Sequence, residues 1–275
     1  MVSQYGLSIV LNHFWGTILN AAQGIANQIS GQLMVFSNTM LKALSPVIVK
    51  SKGNLNDSLM KKAAFLGCKY AYLMLAIFAI PFILETSYIL KIWLKTIPGW
   101  AITFCQLQLL RSIIEQLTIS IGTMISAQGQ IKFYSIYKSI LAIQPIIFTT
   151  IFFYYKYPPY TMYFIWIFCG GILGGYLSLH YAHILCKIKY SDYFKNVFIP
   201  CIVPTIISLI IGYILQKYYI QGFSRLCFTV LLSTTTFILY YWISSTKEEL
   251  LLIKGLINRI CIKIKSKSRN NSCSD

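Results

Sequence analysis

The residues able to do chemistry are few, and most of them fall in one stretch. Arg111 and Glu115 lie four residues apart inside the mostly apolar run from Trp100 to Gln128. Gln108, Arg111, Glu115, Thr118, Gly122 and Ser126 recur at steps of three and four, so a helix carries them on one face. An ionisable side chain at the centre of a bilayer costs about 2.5–3.5 kcal/mol on insertion scales, so it is expected to face a protein interior or a wet cavity. Two chemistries fit the pair. The planar fork of Arg111 suits a phosphate or other anion, with Glu115 orienting it or exchanging a proton. Alternatively the two charges neutralise each other inside a bundle, although Arg before Glu is the weaker order on an isolated helix. A second polar face steps through Gln23, Asn27, Ser30, Met34, Asn38 and Lys42, with Gly31 beside it. Such side chains either line a cavity or bond one helix to another. The candidate substrate-binding residues are therefore Arg111, Glu115, Gln108, Thr118, Gln23, Asn27 and Asn38.

Elsewhere the chemistry is thin. His180 and His183 are three apart, but no further ligands on other runs are identifiable for a metal. His13 beside Asn12 suits a packed, hydrogen-bonded position. Gly170, Gly171, Gly174 and Gly175 give two overlapping GxxxG spacings, which permit close helix packing, and no strand precedes them to make a phosphate loop. The eight cysteines form no CxxC pair, which argues against a zinc site or a disulfide framework. Only seven acidic residues occur, without paired carboxylates, HExxH or GxSxG. The expectation is a protein that is not an enzyme and carries no cofactor or metal.

The elements that must position these residues are apolar runs. The chain of 275 residues is 56% hydrophobic and 11% charged, against about 25% charged in a soluble domain. The pattern predicts an all-α, polytopic helical membrane protein with about eight transmembrane helices. Their expected extents are 4–21, 24–48, 63–84, 100–128, 132–155, 161–186, 197–216 and 224–243. Met1 to Gln4 lacks the basic start of a signal peptide, so the first run is expected to be retained. Glu85 to Lys95 is read as a short interfacial piece, Tyr157-Pro158-Pro159-Tyr160 as a turn with interfacial aromatics, and Ser191-Asp192 as a break before the seventh span. From Lys247 the chain alternates basic and apolar residues like a surface-lying helix.

The net charge of +17 is spread among the apolar runs, so lipid headgroups and topology explain it better than nucleic acid does. On this parse eighteen Lys and Arg fall in loops on one side and five on the other. The excess predicts both termini in the cytoplasm.

Several phrases resemble bacterial polysaccharide flippases, the O-antigen and capsule exporters of the multidrug/oligosaccharidyl-lipid/polysaccharide superfamily. They are Asn20-Ala21-Ala22-Gln23-Gly24-Ile25-Ala26, Ala43-Leu44-Ser45-Pro46-Val47-Ile48-Val49-Lys50-Ser51, Ile83-Leu84-Glu85-Thr86 through Trp93-Leu94, and Ala127-Gln128-Gly129-Gln130-Ile131-Lys132. The similarity runs over most of the chain, each phrase being loose alone. The resemblance implies the C-terminal half of a fourteen-helix, two-lobed flippase: a six-helix lobe over residues 1–186, two additional helices over 187–245 and a basic cytoplasmic tail over 246–275. It further implies an undecaprenyl-diphosphate-linked oligosaccharide as cargo, passed from the inner to the outer leaflet of the bacterial cytoplasmic membrane. Membrane lipids, a separate or missing N-terminal lobe and a coupling ion are the expected partners, with Glu115 the candidate for the ion. Two other classes stay open: a non-transporting remnant or scaffold, and a membrane-embedded glycan polymerase or transferase.

Overall fold

The bilayer offers backbone groups no water, so a spanning segment must satisfy its N–H and C=O groups internally. The computed structural model, which describes residues 2–129 and 131–244, has only helical elements among them. They are α1 (Val2–Gly53), α2 (Asp57–Trp93), α3 (Ala101–Gln116), α4 (Ile119–Ala127), α5 (Lys132–Tyr154), α6 (Thr161–Trp166), α7 (Gly174–Cys186), α8 (Tyr190–Tyr193), α9 (Ile199–Tyr218) and α10 (Phe223–Ser244). A π-helical turn, Ile167–Leu173, joins α6 to α7, and another, Phe194–Phe198, joins α8 to α9. Among the described residues, six continuous helical stretches are long and apolar enough to cross a membrane: α1, α2, α5, Thr161–Cys186, Tyr190–Tyr218 and α10.

Boundaries differ from expectation in four places, each with a local cause. No loop separates the first two runs at 21–24. The helix continues there and breaks instead at Gly16 (φ 79°, ψ −179°), a left-handed φ that glycine adopts without a Cβ penalty. Glu85 does not begin an interfacial piece but lies inside α2, at a bend (φ −107°, ψ 18°) one turn after Pro81. The run 100–128 is a pair, α3 and α4, broken at Leu117–Thr118. Ser191 and Asp192 do not break the seventh span, because they form its first turn in α8. The expected count of eight would need α1 divided at Gly16 and the α3–α4 pair counted as one span. The expected basic tail, 246–275, lies outside the described residues.

The chain divides into two compact units, Met1–Phe237 and Ile238–Asp275. Of the second, residues 238–244 are described, and they are helical. In the first unit, α1 packs along α2, α3, α4 and α5, and α2 also contacts α3, α4 and α9. The turn Ile167–Leu173 lies against α3 and α5, and α7 against α4. The core is centred on α2 and α3: Tyr72, Leu75, Ala76, Phe104, Cys105 and Leu109 are all buried. Close approach between α2 and α4 depends on Gly67, where an added Cβ would meet Ser120 Cβ at 2.8 Å. By contrast α5 is exposed along Phe133, Ile136, Ile140, Ile143 and Ile147, the apolar surface that suits lipid. Trp100 and Tyr160, 5.3 Å apart between ring centroids, group at one end of the bundle as interfacial aromatics do.

Candidate functional site

α3 turns its polar stripe inward. Gln108, Arg111, Ser112 and Gln116 are buried, and Leu110 on the opposite side is exposed. The stripe meets two different walls. On the first, α1 supplies Ser30, whose hydroxyl pairs with Ser112 at 2.8 Å, and Ser37, which donates to Gln116 Oε1 at 2.7 Å. Ser112 Oγ also bonds to the Gln108 carbonyl one turn back, at 2.9 Å. Gln23 is fully buried, with Nε2 3.9 Å from Met162 Sδ. Gln23 Oε1, Asn27 Oδ1 and Gln116 Nε2 are buried polar atoms without a hydrogen-bond partner. A polar group in hydrocarbon is stabilised by bonding or by water, so this seam is one place in the interior where a water would be stabilised.

The second wall is the helical stretch Thr161–Cys186. Arg111 Nη1 contacts Glu115 Oε1 at 2.5 Å, and Arg111 Nε donates to Gln108 Oε1 at 3.3 Å. The guanidinium carbon lies 3.9 Å from the centre of the Trp166 ring, a cation–π placement. Trp166 is the last residue of α6, and the π-helical turn Ile167–Leu173 follows it. Such turns widen the helix locally and occur often at functional sites. The glycines there accept the α3–α4 side chains. An added Cβ at Gly170 would lie 3.8 Å from Glu115 Oε1, at Gly171 3.0 Å from Ile114 Cγ2, and at Gly175 3.6 Å from Thr118 Cγ2. The GxxxG spacings thus seat the face that carries Glu115 and Thr118.

Between these walls the helix itself is broken. At Leu117–Thr118 the amides reach back only three residues, to the carbonyls of Ile114 and Glu115. The freed Leu117 carbonyl accepts a hydrogen bond from Tyr193 Oη at 3.0 Å. Backbone outside regular helix is tolerated at membrane depth where protein buries it, and Tyr193, itself buried, supplies that cover.

Six of the seven candidate residues fall on this structure in two groups. Arg111, Glu115, Gln108 and Thr118 share the face toward Thr161–Cys186, while Gln23 and Asn27 lie along α1 with buried polar atoms. Asn38 does not join them. It is exposed, and the neighbouring Ser37 makes the bond to α3. Each step of four residues overshoots a full helical turn by about 40°, so two such steps in succession, Ser30 to Met34 to Asn38, rotate off the buried face. Stepping four and three from Gln23 reaches Ser37 instead. Trp166 and Tyr193 carried no sequence signal, because both act through contacts distant in the chain. His180 and His183 diverge: His180 stacks on Tyr176, and His183 Nδ1 bonds to the Ile188 carbonyl at 2.7 Å.

Two residues assigned to loop charge in the sequence are interior. Lys69 is buried in α2, and Arg225 is buried in α10, paired with Glu85 at 2.7 Å. A separate cleft of about 260 Å³ opens between α1 and α2, lined by Gln28, Gln32, Leu33, Phe82, Ile89 and Trp93. It does not include Arg111. Beside it the outward side of α1 presents Gly24, Gln28, Gly31, Gln32, Asn38 and Lys42, all exposed. No family model, curated protein or solved structure matches the chain.

Proposed function

We propose that this chain is the C-terminal part of a membrane transporter for a lipid-linked oligosaccharide, carrying it from the inner to the outer leaflet of a bacterial cytoplasmic membrane. The observation that carries the reading is the broken span α3–α4 with an ionisable pair one turn before its break, seated on a π-helical glycine turn. Discontinuous helices with charged side chains near them are how many transporters build sites within the bilayer. Arg111 is the residue proposed to attract the diphosphate, and Glu115 the residue proposed to return to Arg111 when the anion leaves. The outward polar face of α1 supports a second lobe as partner. Gln28, Gln32 and Asn38 would lose hydrogen bonds in hydrocarbon, and a facing lobe with water between would keep them satisfied. The cytoplasmic placement of both termini belongs to the same proposal.

The test is export of surface glycan in cells where this chain, together with its second lobe, is the sole exporter. Arg111→Ala should abolish export while membrane insertion is retained, and Arg111→Lys should retain part of it. Normal export by Arg111→Ala overturns the phosphate role. One observation favours a scaffold without transport: Arg111 is only 9% exposed and already engages Gln108, Glu115 and Trp166. That reading predicts no export in such cells, with or without a change at Arg111.

A further inference from the structure

The bend in α2 is held from three other helices. Pro81 has no N–H to give to the preceding turn, and four residues later Glu85 leaves helical geometry. The carbonyls around the bend are then taken by side chains. Thr86 Oγ1 donates to Phe82 O at 2.6 Å, Gln106 of α3 donates to Ile83 O at 3.1 Å, and Gln216 of α9 donates to Leu84 O at 2.5 Å. The Glu85 side chain is fully buried, and its Oε2 takes Arg225 Nη2 of α10 at 2.7 Å. Arg225 Nη1 reaches the Tyr219 carbonyl, the end of α9, at 3.3 Å.

The pair is incompletely satisfied. Glu85 Oε1 and Arg225 Nε are buried without partners. A buried ion pair with unmet hydrogen bonds is no more stabilising than apolar packing of the same volume, whereas losing one partner is severely destabilising. An ionic contact of this kind suits a joint that can part and re-form. Its position says what it would move. Ile89 and Trp93, beyond the bend, form one wall of the cleft whose opposite wall is α1 at Gln28, Gln32 and Leu33. From Glu85 to Trp93 is an arm of roughly 12 Å at 1.5 Å per residue, so a swing of about 10° moves Trp93 by about 2 Å.

We infer that the Glu85–Arg225 pair is a latch that fixes the bend of α2 and thereby the opening of the cleft between α1 and α2. The inference does not depend on the cargo or on Arg111. Its test uses the full chain in lipid nanodiscs, on a background lacking reactive cysteines, with nitroxides at the exposed positions Gln32 and Ile92. Electron paramagnetic resonance reads the distance between them. The intact pair should give one narrow distribution. Glu85→Gln and Arg225→Gln should each shift or broaden it by about 2 Å, and the exchanged pair Glu85→Arg/Arg225→Glu should narrow it again. Lys52→Gln, which breaks the exposed Lys52–Asp57 contact at 3.5 Å, should leave it unchanged. If the neutral variants do not fold, Arg225→Lys keeps the charge with fewer donors and should broaden the distribution on a folded chain. An unchanged distribution in the folded variants overturns the latch, and so does an exchanged pair as broad as the single changes.

Discussion

The Arg111–Glu115 contact yields a prediction that separates a self-neutralising pair from a binding residue. Arg111→Met keeps an aliphatic stem and removes the charge. Glu115 then remains with its side chain 28% exposed and without its salt-bridge partner. Breaking a buried pair from one side costs about 3–5 kcal/mol, and the partial exposure of Glu115 reduces this toward about 2–3 kcal/mol. Loss of the cation–π contact with Trp166, 3.9 Å from the guanidinium carbon, adds about 0.5–1 kcal/mol. Glu115→Gln leaves Arg111 with Gln108, Trp166 and a neutral acceptor, so its cost should be smaller, about 1–2 kcal/mol. The double variant has no uncompensated charge and should recover much of the loss. Equilibrium unfolding in mixed micelles should therefore give a coupling energy of about 1.5–3 kcal/mol. Additivity of the two changes within about 0.5 kcal/mol would refute the pairing argument.

The same double variant then decides the function. Its folding is restored and its guanidinium is absent. Export lost in a stable double variant fits an anion-binding Arg111; export preserved assigns the pair to packing alone.

Three further outcomes follow from the packing. Tyr193→Phe removes the hydroxyl that bonds to the Leu117 carbonyl and should cost about 1–3 kcal/mol in unfolding. Gly171→Val should destabilise by about 1–3 kcal/mol, because Ile114 Cγ2 leaves no room beyond a methyl, whereas Gly24→Ala, with open space around it, should be near neutral. Cysteine labelling should place Asn54 on one side of the membrane and Tyr157 on the other; labelling of both from the same side overturns the assignment of α2, α3–α4 and α5 as successive crossings.

The helical membrane class was legible because apolar run length is a property of composition, and the sixth span, 161–186, matches the structure to the residue. Part of the inward polar face of α3, Gln108 and Arg111, was legible because it depends on spacing within one helix, whereas the buried Ser112 and Gln116 lay outside the expected stripe and Ser126 at its far end is exposed. What spacing could not show is pairing across the chain. Glu85 and Arg225 are 140 residues apart, so the local spacing of neither pointed to the other. The break at Leu117–Thr118 has no glycine or proline to mark it, and its cover comes from Tyr193, 76 residues away. The break at Gly16 was hidden for the opposite reason: glycine is common in membrane helices, and Gly24, which stays helical, looked the more natural boundary.

The polar side chains of this bundle sort by what answers them, and that sorting bears on the proposed transport. Ser30, Ser37, Thr205 and Tyr72 find partners on neighbouring helices, and such bonds average well under 2 kcal/mol each in membrane proteins, enough to fix register. Arg225 and Glu85 answer each other but leave one atom apiece unmet. Gln28, Gln32, Asn38 and Lys42 have their answer outside the chain's own packed interior. Arg111 is engaged by its own helix and by Trp166. An anion reaching it would have to draw the guanidinium from Glu115, exchanging one carboxylate contact for one phosphate contact. That exchange leaves the number of charge-assisted bonds unchanged and so need not cost binding energy, provided Glu115 gains water or a proton as the anion arrives. Glu115, more exposed than Arg111 and lying over Gly170, is the member of the pair positioned to receive either.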